Sequence, residues 1–208
     1  MSTRDIERET AIKLRNLGMK IKKRNVKVRN RQVDFLLETL HGGKIAVEVK
    51  SRIVGIPDIL RVASVTRSIE EPSFSFPGTI ATAVYPKNKV ILDVAAKNDI
   101  AIVSLEDRQN FSLVMSFINC LVDLEAIIKK ILHKRKITVK FKDKFPFDKI
   151  INILKEGAII DEGLASEITQ VWQIRNKLVH GKKVSKRELE EVILKIRLIQ
   201  EKLSKKLY

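Results

Sequence analysis

One cysteine, Cys120, occurs among 208 residues, which excludes a disulfide framework and any cysteine-based zinc cluster. The three histidines stand far apart, at positions 41, 133 and 180, without the spacing of a metal-ligand set. No internal repeat and no low-complexity segment is present. Long apolar runs are also missing: the richest stretch, Leu113 to Ile128, is interrupted by Asp123 and Glu125, so a membrane span of ~18 apolar residues is not expected. The first ten residues, MSTRDIERET, are polar where a signal peptide needs an apolar segment. These absences lead to the expectation of a cytoplasmic protein.

Acidic charge is scarce too. Asp and Glu number 25 against 41 Lys and Arg, a net charge of +16. Hydrophobic residues make up 44% of the chain, enough for a packed core. A globular chain with this excess of positive charge expects a polyanionic partner, of which nucleic acid is the commonest. A Lys- and Ile-rich composition also suits heat adaptation, so charge alone does not assign a function.

Periodicity divides the chain. Residues 3–17 have helical spacing, with Thr3 at the start and Gly18 as a stop. Extended runs follow at Val26/Val28, Val33 to Leu40 and Lys44 to Lys50, the last two separated by His41-Gly42-Gly43, a hairpin signal. Residues 57–69 read as a helix with Pro57 in its first turn. Thr79 to Val84 reads as a strand, Lys87 to Lys97 as a helix and Ile100 to Val103 as a strand. The order α-β-β-β-α-β-α-β predicts an α/β domain with a mixed sheet over residues 1–107.

From residue 108 to 208 the period is 3.6 throughout. Leu113, Phe117, Leu121, Leu124, Ile128 and Ile131 form one stripe. Phe147 to Leu154, Leu164 to Val179 and Ser185 to Leu203 add three more helices, the last opened by the capping-box pattern Ser185-Lys186-Arg187-Glu188. That predicts an all-α four-helix bundle. The positive charge is shared, +7 up to residue 110 and +9 beyond it.

Two constellations carry chemistry. On an extended strand, Glu48 and Lys50 share one face while Ile45, Val47 and Val49 take the other. Asp34 lies across the hairpin, and a register placing it opposite Lys50 puts it on the face of Glu48. Two converging carboxylates suit Mg²⁺ with its waters, and a neighbouring Lys can orient the attacking water or stabilise charge on a phosphate. A one-residue slip would remove the site. The competing reading is an exposed hairpin with solvated charges.

These segments, Val33-Asp34-Phe35-Leu36-Leu37 and Gly43-Lys44-Ile45-Ala46-Val47-Glu48-Val49-Lys50-Ser51, together with Ile6-Glu7 and the strands at Thr79 and Ile100, resemble the PD-(D/E)XK nuclease superfamily. The likeness covers about residues 3–104 and is nearest its restriction-endonuclease-like and Holliday-junction-resolvase-like branches. It implies an αβββαβ core, Mg²⁺ or Mn²⁺ as cofactor, Asp34 and Glu48 as metal ligands, Lys50 as the catalytic lysine and Glu7 as an accessory acid, with Glu9 its competitor. Asp58 and Arg61 stand on the following helix where some branches carry glutamine.

The second constellation is Arg175 with His180. Arg175 falls on the apolar stripe of Leu164, Ile168, Val171 and Leu178, where it needs an ion partner or a second subunit. His180 precedes Gly181, a natural helix stop, and one helix does not bring the two side chains together. Taken alone, they read as an interface arginine and a helix-terminal histidine. The run Ile174-Arg175-Asn176-Lys177-Leu178-Val179-His180-Gly181 resembles the Arg-x4-His signature of HEPN domains. That likeness implies a homodimerising bundle that binds RNA or cleaves it without metal, using Arg175 and His180 with Asn176 in support.

A basic run, Lys20, Lys22, Lys23, Arg24, Lys27, Arg29 and Arg31, precedes Asp34 and suits contacts to backbone phosphates. His41 and His133 are expected to face solvent, and Cys120 and Trp172 to pack in the core. The expectation is a metal-dependent nuclease, acting on DNA, fused to a HEPN-like module, in a setting of nucleic-acid defence. The alternative is a non-catalytic nucleic-acid-binding or regulatory dimer.

Overall fold

A computed structural model describes residues 3–28, 31–69, 76–137 and 147–207. Arg29 of the basic run therefore lies outside the described residues, as do Phe141 and Phe145. The first half runs α1 (Thr3–Asn16), β1 (Lys20–Val28), β2 (Arg31–Glu38), β3 (Lys44–Lys50), α2 (Ile56–Thr66), β4 (Gly78–Thr82), α3 (Lys89–Lys97) and β5 (Ile100–Ser104). The second half is helical among the described residues: α4 (Arg108–Lys134), α5 (Phe147–Glu156), α6 (Glu162–Val179) and α7 (Lys186–Ser204). The molecule is thus α/β with a helical C-terminal part.

Five strands form one mixed sheet in the order β1-β2-β3-β4-β5. The β1–β2 and β2–β3 pairs are antiparallel, and β3–β4 and β4–β5 are parallel. β3 is central, so both its faces are covered. Ala46 joins the cluster formed with Ile59, Val62 and Ala95 of α2 and α3. Ile45, Val47 and Val49 join the larger one with α1 and the C-terminal helices. That second cluster passes residue 107 without a break, uniting Phe35 and Val47 with Phe117, Ile128 and Ile196. Phe111 and Phe117 are fully buried in it, and truncating either to Ala would cost about 3–5 kcal/mol.

The start of β1 corrects one boundary. The strand begins at Lys20, six residues before Val26, because an edge position lets lysines and arginines project into water while the backbone pairs with β2. Apolar patterning therefore understates its length.

The β2–β3 hairpin is docked rather than free. Thr39 N–H donates to Gly43 O at 2.8 Å, leaving Leu40, His41 and Gly42 as the loop, with Gly42 in the left-handed region (φ 92°). Such a three-residue loop ending on a left-handed residue is a common hairpin closure. A Cβ at position 43 would lie 2.6 Å from Val122 Cγ1 on α4, so glycine permits the approach. His41, expected to face solvent, is instead half-buried. Its backbone N–H donates to Asp123 Oδ1 at 2.6 Å and its Nδ1 is 2.7 Å from Asp123 Oδ2. The acids that interrupt the apolar run thus have partners: Asp123 holds this loop, and Glu125 meets Lys129. By length and composition, Gln109–Lys134 of α4 could cross a membrane, but 67% of its most apolar window is buried inside the protein. It is a core helix.

Candidate active site

The site forms where β2 and β3 outrun their ladder. The strands pair Phe35 with Val47 and Leu36 with Ala46, two residues out of step with the expected Asp34–Lys50 pairing. The hairpin closes around His41 instead of Gly42, and this moves the register. A two-residue shift keeps every side chain on its face and brings Asp34 level with Glu48. Asp34 Oδ2 then accepts the Val49 N–H at 2.7 Å.

Glu48 is only 4% exposed. Its Oε1 contacts Lys50 Nζ at 2.6 Å and Arg61 at 3.0 Å. Asp58, also 4% exposed, closes the far side, with its Oδ1 at 2.9 Å from Arg61, 3.2 Å from Arg52 and 3.5 Å from Lys50. Its Oδ2 accepts the Gly55 N–H at 3.0 Å, which fixes the start of α2. Lys50 thus stands between two carboxylates, and Arg61 bridges the same pair. The sequence offered Asp58 and Arg61 only as a departure from family pattern; the structure makes them part of the cluster.

Burial is incompletely compensated here. Glu48 Oε2 is buried and finds no hydrogen-bond partner among the described residues, and neither does Arg61 Nε. A buried carboxylate oxygen without a donor is costly. Burial pushes the Glu48 carboxyl above the ordinary range, and the negative charge of Asp34 adds to the rise. Burial likewise raises Asp34, against the Val49 amide, with Glu7 pushing the same way. For Asp58, burial also acts upward, but the Gly55 amide and the cations Lys50, Arg52 and Arg61 outweigh it and hold the group low. Asp34 and Glu48 repel each other in a partly dry setting, which a divalent cation would relieve. Carboxylate oxygens are the hard donors that Mg²⁺ and Mn²⁺ take while keeping several waters. Among the described residues no group of three or more His, Cys, Asp and Glu side chains is arranged to hold a metal.

Glu7 stands beside Asp34 in an adjoining cleft of about 420 Å³, while its competitor Glu9 pairs with Lys13 at 3.0 Å. The basic run divides. Lys20 and Lys22 pair with Glu38, Lys23 and Lys27 are exposed, and Arg31 reaches the Leu60 carbonyl at 3.5 Å. Arg24 lies over the Phe35 ring at 5.8 Å and lines the cleft. Sequence reasoning missed Arg4, Arg8 and Arg15, which line it too. They fall within about 40° on a helical wheel, a signal that was legible in α1.

The second constellation does not assemble within the chain. Arg175 is 5% exposed. It pairs with Asp99 in the turn before β5, reaches Asn176 Oδ1 at 3.2 Å, and lies 5.0 Å from the Trp172 ring and 5.4 Å from Phe76. The ion partner that the apolar stripe demanded is therefore inside the chain, and no second subunit is needed to supply one. His180 is exposed as the C-cap of α6. Trp172 stacks on Phe147 at 4.6 Å.

No protein-family profile matches the chain, and none of the curated proteins compared with it does. A solved structure of Pyrococcus furiosus SfsA in complex with Ca²⁺ is similar in part, with 19% identity and a TM-score of 0.32. The similarity covers 49% of this chain and 53% of that one, about half the length of each.

Proposed function

We propose that the N-terminal part is a divalent-metal-dependent phosphodiesterase acting on nucleic acid, with Asp34 and Glu48 as metal ligands and Lys50 as the catalytic lysine. The observation that carries this reading is the buried, donorless Glu48 Oε2 beside Asp34, with Lys50 Nζ 2.6 Å from the other Glu48 oxygen. Buried carboxylate oxygens are as a rule satisfied, and a divalent cation would satisfy this one. Mg²⁺ or Mn²⁺, when bound, supplies a lowered water pKa and a positive charge at the phosphate.

The chain's own groups do the rest. Lys50 orients the attacking water and donates to a phosphate oxygen as negative charge develops there. Arg61 holds Glu48 and Asp58 in place at 3.0 and 2.9 Å. Water adds to phosphorus as its proton passes to solvent, the bond from phosphorus to the leaving oxygen breaks, and the leaving oxygen takes a proton from solvent to depart as a hydroxyl. The net charge of +16 favours a polyanionic substrate.

The test is cleavage of supercoiled, linear, branched and single-stranded DNA with Mg²⁺ or Mn²⁺. The expected result is cleavage that stops with EDTA and in Asp34→Ala. Intact DNA throughout, or equal cleavage by Asp34→Ala, overturns the reading. The enclosure of Arg175 by Asp99, Asn176, Trp172 and Phe76 gives no support to a ribonuclease centre on α6.

A further inference from the structure

The cleft beside Asp34 has a composition that the hydrolytic chemistry alone does not require. α1 lays Arg4, Arg8 and Arg15 along one wall, and Arg24 of β1 adds a fourth guanidinium. Lys13 is taken by Glu9, but Arg4, Arg8 and Arg15 make no salt bridge to another described residue. Ile12 sits among them, 49% exposed, an apolar side chain lining a cationic cleft. Four cations against the two carboxylates of Glu7 and Asp34 leave this concave site with an excess of positive charge that calls for an anion, and Ile12 adds a surface that a simple inorganic anion would not use.

Phosphate with an attached flat apolar ring meets both demands. The volume, about 420 Å³, falls in the range of small-molecule sites (roughly 300–1,000 Å³) and is too small to admit a double helix. Single-strand-binding grooves combine a cationic track for the backbone with side chains against which unpaired bases lie, and arginine planes also serve as stacking surfaces.

We propose that this cleft binds an unpaired nucleic-acid strand, with backbone phosphates along Arg4, Arg8 and Arg15 and a base against Ile12 and Arg24, so that the strand passes Asp34. The inference rests on the phosphodiesterase reading for its purpose but not for its test, which measures binding without turnover.

A short fluorescein-labelled single-stranded DNA and the same sequence as a duplex are titrated by fluorescence anisotropy in EDTA. Wild type is expected to bind the single strand about tenfold more tightly than the duplex. The Arg8→Ala/Arg15→Ala double variant, confirmed folded by its melting transition, is expected to lose about tenfold in single-strand affinity. Its slope of log affinity against log salt flattens by about 1.4, near 0.7 for each phosphate that is no longer neutralised. Arg187→Ala, at an exposed position of α7 that does not line the cleft, removes one cation and keeps wild-type affinity. Tighter binding to the duplex, or an unchanged slope in the double variant, overturns the proposal. Single-strand binding without cleavage under any metal condition removes the phosphodiesterase reading and leaves the cleft assignment standing. Cleavage with arginine-independent binding does the reverse.

Discussion

Glu48 and Arg175 are both charged, both about 95% buried, and both sit at the centre of a constellation conspicuous in the sequence. Their surroundings differ. Arg175 is enclosed by Asp99, Asn176, Phe76 and Trp172, which ties α6 to the turn before β5. Glu48 has two cations on one oxygen and no hydrogen-bond donor on the other, with a second carboxylate near enough to raise its pKa. A buried charge whose needs are met holds the fold together. One whose needs are half met calls for an explanation, and a bound cation is the one proposed for Glu48.

The largest effect should separate the two by kind. Lys50→Ala is expected to reduce DNA cleavage by on the order of 10²–10³-fold, measured as initial rate on protein shown to be folded. A loss below tenfold would place Lys50 among merely structural groups. Arg175→Ala is expected to act on stability instead, costing about 1–3 kcal/mol because it leaves the half-buried Asp99 without its partner. Urea denaturation reads this, and replacing both partners, Arg175→Met with Asp99→Asn, should recover part of the loss. A double variant as unstable as the sum of its singles would break the claim that the pair is coupled.

A smaller effect sharpens the comparison through pH. Asp34 and Glu48 both titrate above their ordinary range because of burial first. A carboxyl raised in the folded state adds stability that is complete below its unfolded pKa and is lost as pH rises through the folded one. In EDTA, the stability that these two groups contribute should therefore fall as pH rises from the ordinary carboxylate range through the raised one, opposite to the contribution of Asp58, and it is read as the difference in melting temperature between wild type and a variant. Asp34→Asn should melt higher than wild type at neutral pH, with the difference closing in acid. A variant less stable than wild type at neutral pH would mean that the carboxylate supports the fold. The smallest effect is His180→Ala, within about 0.5 kcal/mol in stability as for an ordinary surface position and without change in DNA cleavage.

Much of this arrangement was legible beforehand. The strand and helix order followed from periods of 2 and 3.6, and the pairing of Asp34 with Glu48 and Lys50 needed only strand parity. The register was missed by two residues because Gly42-Gly43 suggested a turn centred on Gly42. The loop centres on His41, held by Asp123 eighty-two residues away, and no local pattern reports that. The same limit hid the partner of Arg175, since Asp99 is 76 residues distant. Arg61 was visible as a letter but not as a bridge between carboxylates, because its role depends on how α2 crosses β3. The arginine row on α1 was legible in the spacing of positions 4, 8 and 15, but the β1 and β2 residues that complete its cleft are not local to it.

The central claim is that Asp34 and Glu48 form a divalent-cation site. Calorimetric titration of Mn²⁺ into wild type and Glu48→Gln tests it without reference to substrate. The account predicts one ion bound per wild-type chain and none in Glu48→Gln at the same concentrations; no binding by wild type, or equal binding by both, would contradict it.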